Sequence, residues 1–173
     1  MLRQRHLFPV LLVVLSVMLG ACGGRFLNSP MVDRDARIPR SADSEAILEM
    51  MEQYAMAIDE MDVSWLRGVI SRDYYENAGT THTTEDDYGY EGVMAMFETL
   101  ARHVEDSRVE LKIRDIKVRG DRADVVFEYA YTMLYRVGES RRWQTQRDVN
   151  RVQLQRERDA EGDEGVWRII SGL

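Results

Sequence analysis

Two hydrophobic periods follow one another along the chain and divide it into a helical part and a strand-rich part. Between Asp43 and about Glu60, apolar residues recur every three or four positions, which predicts an amphipathic helix capped by Asp43 or Ser44. Asp62 is placed to cap a second, short helix. After a long polar loop, a third helix is predicted to begin near Tyr90. The first part of the domain is therefore expected to consist of three helices.

From residue 109 onward the period falls to two, which is typical of strands with one buried face. The alternation slips by one residue around Arg114–Asp115, which predicts a β-bulge and a bend in the sheet. Turn residues stand at Gly120–Asp121 and at Gly138–Glu139. The predicted strands, bounded by these turns and by an acidic loop, are 109–118, 123–137, 142–156 and 166–170.

The apolar run Leu7–Leu19 belongs to neither pattern. It is shorter than the roughly 20 residues that cross a bilayer, and it follows two arginines, as in a signal peptide. The sequence Leu19-Gly20-Ala21-Cys22 resembles the bacterial lipobox. This resemblance implies cleavage after residue 21 and a lipid anchor on Cys22, with acyl chains such as palmitate. The alternatives are an ordinary signal peptide with a chance cysteine, or a short uncleaved anchor.

Residues 22–42 mix Gly, Pro and alternating charges without a sustained period, so we predict a flexible tether. The expected organisation is a lipoprotein signal peptide (1–21), the lipidated cysteine and tether (22–42), and one folded domain (43–173). Gly23 follows the cysteine where inner-membrane retention would typically show Asp. By similarity to known lipoproteins, this favours a location in the cell envelope, on the outer membrane and facing the periplasm.

Composition narrows the classes of function. The 173-residue chain has a formal net charge of −7, with 45% hydrophobic and 31% charged residues. An acidic chain of this kind is a poor partner for nucleic acid and for anionic head groups, so attachment to a membrane must come from the lipid. The single cysteine excludes a disulfide within the chain.

The order of these elements resembles the nuclear transport factor two, SnoaL and ketosteroid isomerase superfamily. The resemblance extends from about Glu45 to Leu173. It rests on three sequence features, which are Tyr54-Ala55-Met56-Ala57-Ile58-Asp59 with Asp62 shortly after, Tyr90-Glu91-Gly92, and Trp167-Arg168-Ile169. It implies an α+β fold in which three N-terminal helices pack on a strongly curved antiparallel sheet and form a cone, a cystatin-like α+β roll. In that family the conical cavity serves catalysis, ligand binding or partner docking.

Alternate residues of the two longest strands are expected to face into this cone. If the arginines of the returning strand lie in water, Asp148 points inward, beside Tyr129 and Tyr131. A partly desolvated carboxylate and two phenols would suit a general base and an oxyanion-stabilising pair. The alternative is that Asp148 pairs with an arginine and that the tyrosines are ordinary core residues. The predicted pocket residues are Tyr54, Phe97, Phe127, Tyr129, Tyr131, Met133, Gln146, Asp148 and Asn150.

Two further groups are weaker candidates. The resemblance also implies catalytic groups on the first helix, where Tyr54 and Asp59 are the matching candidates, but Asp59 is more simply a solvated helix end. His82 with Glu85, Asp86 and Asp87 has too few ligands and the wrong spacing for a metal site, so we interpret it as a solvated loop. We expect no metal and no organic cofactor.

The leading hypothesis from the sequence is a non-catalytic envelope lipoprotein. Its cone would bind a small apolar ligand or a peptide, or the domain would pair with itself or with another envelope protein through the outer face of the sheet. The alternative is a cofactor-independent enzyme of the isomerase, dehydratase or cyclase kind, with Asp148 as the base.

Overall fold

The computed structural model describes residues 29–77, 83–158 and 165–173. The predicted signal peptide, Cys22 and His82 therefore lie outside the described residues. Within the described part of the chain, no helix is both long and apolar enough to cross a bilayer.

Three helices form where the periodicity predicted them. The first begins after Ser41, whose Oγ accepts a hydrogen bond from the backbone N–H of Ser44 at 3.2 Å, slightly upstream of the predicted caps. The second begins after Asp62, whose Oδ1 accepts from the backbone N–H of Trp65 at 3.0 Å. The helices are α1 (Ala42–Asp59), α2 (Val63–Val69) and α3 (Tyr90–His103).

The strands are β1 (Val32–Arg37), β2 (Tyr75–Glu76), β3 (Tyr88–Gly89), β4 (Val104–Arg119), β5 (Arg122–Val137), β6 (Ser140–Glu157) and β7 (Val166–Ser171). Five of them form a sheet in the order β1-β4-β5-β6-β7, which carries the helices on one face. Gly120 and Gly138, with φ of 61° and 63°, form the tight turns β4–β5 and β5–β6, in a conformation that glycine adopts most readily. The register shifts between Ile113 and Asp115, so the predicted bulge is confirmed.

Strand β1 corrects the expectation of a tether throughout 22–42. It runs parallel to β4, and the backbone N–H of Ile113 donates to the carbonyl of Met31 at 2.8 Å. Met31 is buried in the core, and Arg37 lies 3.6 Å from the buried carboxylate of Asp115. An edge strand is held by backbone hydrogen bonds, which need no hydrophobic period, and this explains why the pattern did not reveal it.

The predicted polar loop before α3 is closed at its base. Tyr75–Glu76 of β2 pair with Tyr88–Gly89 of β3 in a separate two-stranded sheet. The rings of Tyr74 and Tyr88 stack with centroids 6.2 Å apart. This small sheet therefore holds two tyrosines beside the end of β7.

The core lies between the helices and the inner face of the large sheet. Its fully buried members include Ile47 and Met51 of α1, Val93 of α3 and Val125 of β5. Trp167 and Ile169 of β7 are 5% and 0% exposed, as the alternation of the last strand predicted. The fold is thus three helices on a curved, mainly antiparallel sheet, as predicted.

Candidate functional site

A cavity of about 260 Å³ opens between α1, α3 and the inner face of β4 to β6. It is slightly smaller than the roughly 300–1,000 Å³ that is usual for ligand pockets, so it suits a small molecule. Aromatic and aliphatic side chains form most of its wall. The described residues that line it are Tyr54, Ile58, Met96, Phe97, Leu100, Val109, Leu111, Phe127, Tyr129, Tyr131, Met133, Tyr135, Asn150 and Leu173.

Most of the pocket residues expected from the sequence lie in this wall. Alternate residues of β5 share the inner face of the sheet, and α1 and α3 lie opposite them, which brings the side chains together. Those placed in the wall are Tyr54, Phe97, Phe127, Tyr129, Tyr131, Met133 and Asn150. The same periodic patterns also apply to four further wall residues, which the sequence could have predicted: Ile58, Leu100, Val109 and Leu111. The sequence gives no signal for Leu173.

Gln146 fixes two of the tyrosines at the mouth of the cavity. The hydroxyl of Tyr131 donates to Oε1 of Gln146 at 2.6 Å, and Nε2 of Gln146 donates to the hydroxyl of Tyr129 at 3.3 Å. The two rings stack with centroids 5.7 Å apart and an interplanar angle of 3°. Gln146 is itself exposed, so it positions the wall from outside the cavity.

Asp148 faces the same side of the sheet, opposite Tyr129 in the β5–β6 register, but it lies in solvent. Its Oδ1 accepts a hydrogen bond from the backbone N–H of Val149 at 2.7 Å. Among the described residues it forms no salt bridge, so neither the desolvated base nor the arginine pair expected from the sequence is present. The reason is that every residue from Ser140 to Val149 is exposed, since the helices do not cover this end of β6.

Among the described wall residues, the hydroxyl of Tyr54 has the most strongly shifted pKa. Burial raises the pKa of its hydroxyl, and the nearby hydroxyl of Tyr129 raises this pKa further. Within the described part of the chain, the Tyr54 hydroxyl has no hydrogen-bond partner. The Tyr129 hydroxyl accepts from Gln146 but has no acceptor for its own proton there. Two phenol donors at the cavity are therefore without a protein acceptor.

The end of the chain closes one side of the cavity. The hydroxyl of Tyr88 donates to the backbone oxygen of Leu173 at 2.8 Å, and the backbone N–H of Leu173 donates to the hydroxyl of Tyr74 at 3.0 Å. The side-chain amide of Asn150 donates to the carbonyl of Gly172 at 2.8 Å. These bonds hold Leu173 in the wall and engage Asn150 with backbone rather than with the open space.

The remaining candidates lie elsewhere. Asp59, at the exposed end of α1, accepts a hydrogen bond from the backbone N–H of Val109 at 2.9 Å and so ties the helix to β4. Asp87 accepts a hydrogen bond from the hydroxyl of Tyr75. In the three described stretches, no group of three or more His, Cys, Asp or Glu side chains is placed to hold a metal ion.

No family model and no curated protein matches the sequence. The comparison with known proteins therefore rests on solved structures, which support the fold. A conserved protein from Planctomyces limnophilus superposes with a TM-score of 0.59 at 17% identity, over 76% of this chain and 93% of that one. A nuclear transport factor 2 (NTF2-like) superfamily protein from Salmonella enterica gives 0.52 at 20% identity, over 76% and 90%. A hexachlorocyclohexane dehydrochlorinase gives 0.56 at 16% identity, over 76% and 82%.

These matches show that the domain shares its fold, helices packed on a curved sheet, with these three proteins. At such low identities the likeness concerns the fold alone, and a shared fold does not fix a shared activity. The function must therefore be argued from the cavity of this chain.

Proposed function

We propose that the chain is a membrane-anchored lipoprotein whose cone domain binds a small, largely apolar molecule bearing one hydrogen-bond acceptor, without transforming it. The observation that carries the proposal is the cavity wall. It is built mainly of aromatic and aliphatic side chains, and two phenol donors in it have no acceptor among the described residues. A ligand carbonyl or ether oxygen would satisfy one or both donors.

The apolar wall supplies the affinity and the phenols supply the orientation. Burying apolar ligand surface is favourable by roughly 25 cal/mol per Å². A phenol is protonated at neutral pH and acts as a donor, and burial makes the proton of Tyr54 still harder to remove. An acceptor on the ligand thus meets neutral donors rather than a fixed charge, which favours an uncharged molecule.

Binding is favoured over chemistry because the described wall residues offer no side chain suited to acid–base work near neutral pH. Among the residues that the structure describes, the wall contains no carboxylate, imidazole or amine side chain. A general base has to lie within hydrogen-bond reach of the proton that it removes. Asp148, the base of the enzyme hypothesis, is exposed and accepts a hydrogen bond from the backbone beside it.

A pair of isosteric probes tests the ligand class. Acetophenone and α-methylstyrene have the same planar shape and differ by a carbonyl oxygen in place of a methylene. We expect the chain to bind acetophenone more tightly by about 3–10-fold, which corresponds to one hydrogen bond of roughly 0.5–1.5 kcal/mol. Ligand-observed NMR titration measures both affinities.

Tyr54→Phe and Tyr129→Phe should each reduce the preference for acetophenone while leaving the affinity for α-methylstyrene nearly unchanged. Tyr75→Phe is the matched control, because Tyr75 is 55% exposed and lies outside the cavity wall. Absence of binding for both probes would contradict the apolar cavity. Equal affinities in the unchanged protein would contradict the role of the phenols.

The membrane anchor is supported by the sequence around the cysteine. A short apolar run after two arginines ends in Leu19-Gly20-Ala21-Cys22, and no other cysteine is present. Acyl chains add roughly 0.8 kcal/mol of membrane affinity per buried methylene, so two or more of them hold a protein firmly. Gly23 after the cysteine favours the outer membrane, with the domain in the periplasm.

Cys22→Ser should abolish the lipid and block processing of the amino-terminal segment. Metabolic labelling with an alkyne analogue of palmitate, followed by in-gel detection, measures the lipid directly. Cys22→Ala serves as a second variant without a hydroxyl and should behave in the same way. Label incorporated equally by the variants and the unchanged protein would exclude Cys22 as the attachment site.

A further inference from the structure

A groove runs along the outside of the helical layer, between α1, α2 and the start of β7. It consists of two adjoining cavities of about 480 and 260 Å³, and both have Gln53 and Trp65 in their walls. The cone cavity is lined by other residues of α1, among them Tyr54 and Ile58. The groove is therefore a second site, distinct from the cone.

The floor of the groove is apolar, and its borders leave large apolar side chains in solvent. Met50 of α1 and Val69 of α2 line it and are only 9% and 7% exposed. Met56 and Val166 line it as well and are 55% and 57% exposed. Trp65, which borders both cavities, is half-buried. Exposed apolar residues around a concave apolar floor are typical of a surface that binds a partner.

Gly68 is an independent indication that another molecule approaches this groove. It lines the groove from within α2, where glycine is less favourable than alanine. Its φ is not positive, and a Cβ added to it would meet no atom of a neighbouring element within 4 Å. Neither the backbone conformation nor the packing of the chain thus requires a glycine here. Close approach by a partner molecule accounts for it.

The rim of the groove is acidic. Glu49 and Glu60 of α1 line it, are exposed, and form no salt bridge among the residues that the structure describes. The stretch from Ala42 to Asp62 contains no basic residue, and the arginine of α2, Arg67, is paired with Glu98 of α3. A positively charged occupant would be attracted by this rim, whereas an anionic lipid surface would be repelled.

We propose that this groove binds a peptide segment of another protein, in which bulky apolar side chains alternate with lysine or arginine. The apolar side chains pack on the floor beside Trp65, and the basic ones lie near Glu49 and Glu60. The part of α1 that lines the groove, from Ala46 to Glu60, is about 21 Å long at 1.5 Å per residue. This length accommodates about six residues of extended chain.

A fluorescein-labelled heptapeptide of alternating lysine and leucine tests the proposal by fluorescence anisotropy, with the full chain in a neutral detergent. Peptides with glutamate in place of lysine, or with serine in place of leucine, should each bind at least about tenfold more weakly. Each of them lacks one half of the complementarity, either to the acidic rim or to the apolar floor. Absence of binding by the lysine–leucine peptide, or equal binding by either substituted peptide, would overturn the proposal.

Gly68→Gln should raise the Kd of the lysine–leucine peptide by at least about tenfold, because it places a polar side chain in the groove. The chain itself leaves space for that side chain, so the fold should be retained, and thermal melts measure this. Ala46→Gln is a second blocking variant, since Ala46 is exposed on α1 and lines the same groove. Unchanged affinity in the folded blocking variants would contradict the assignment of the site.

The double variant Glu49→Gln with Glu60→Gln should raise the same Kd by about 3–10-fold and weaken its dependence on salt. Glu110→Gln with Glu139→Gln is the matched control, because both residues are exposed and lie outside the groove. This control should leave the Kd within about twofold. Equal losses in the two double variants would reduce the binding to a general attraction between opposite charges. Native mass spectrometry that shows a dimer dissociated by Gly68→Gln would assign the groove to a second copy and overturn the proposal.

Discussion

At the residue scale, the hydrogen bonds of β6 explain what its polar side chains do. Asp148 and Asn150 each accept a bond from the backbone N–H of the following residue, at 2.7 and 2.8 Å. Strand β7 pairs with β6 only from Gln153 onward, and Gly172 packs against the backbone of Arg151 and Val152, so among the described residues, 140–149 have no neighbouring strand on this side. The two side chains thus occupy backbone donors that would otherwise be open to another strand.

This arrangement predicts that Asp148→Asn changes the free energy of unfolding by less than about 0.5 kcal/mol at neutral pH, because the residue is exposed and an amide oxygen can accept the same bond. If Asp148 formed a buried ion pair with an arginine, the same substitution would lower the free energy of unfolding by about 3–5 kcal/mol. Denaturant melts measure the difference. Asp115→Asn is the comparison, since Asp115 is buried and paired with Lys117 at 3.1 Å, and it should be clearly destabilised.

At the scale of elements, β1 shows how a short strand attaches a segment without a hydrophobic pattern. Its backbone bonds to β4, and Met31, the residue just before the strand, is 9% exposed. Met31→Ala should therefore lower the free energy of unfolding by roughly 2 kcal/mol, the lower end for a core methionine near the edge of a sheet. Urea melts of the full chain provide the measurement.

The matched control for that prediction is Arg34→Ala, because Arg34 lies in β1 shortly after Met31 and its side chain is exposed. Its effect should stay below about 0.5 kcal/mol. If both substitutions were equally harmless, the segment would behave as the free tether that its composition indicates.

The elements that the sequence revealed are those held by side-chain burial. The helices, the long strands and the bulge near Asp115 follow from periodicity, because each buries one face. Strands β1, β2 and β3 are held mainly by backbone pairing and leave no such signal. The cavity wall on β5 was predictable for the same reason as the strands. The exposure of Gln146 and Asp148 was not predictable, because the alternation along a strand does not show how far the helices extend over it.

At the scale of the whole molecule, charge is divided between the helical side and the sheet. From Ala42 to Asp62 the chain has seven acidic residues and no basic one. The outer side of β6 from Arg141 to Gln153, by contrast, carries arginines and no carboxylate. The acidic helix and these arginines thus lie on opposite sides of the sheet, and salt in solution screens the repulsion among the carboxylates of the helix.

The pairing of β1 with β4 also limits how far the folded domain can lie from a bilayer that holds a lipid on Cys22. If Cys22 carries the lipid, nine residues lead from it to Met31, whose carbonyl is bonded to Ile113. At no more than about 3.6 Å per residue, the attachment point of the domain stays within about 32 Å of the bilayer surface, whatever path the segment takes. A small apolar molecule partitions into lipid and is more concentrated there than in water. A domain held close to the membrane would therefore bind such molecules from the lipid.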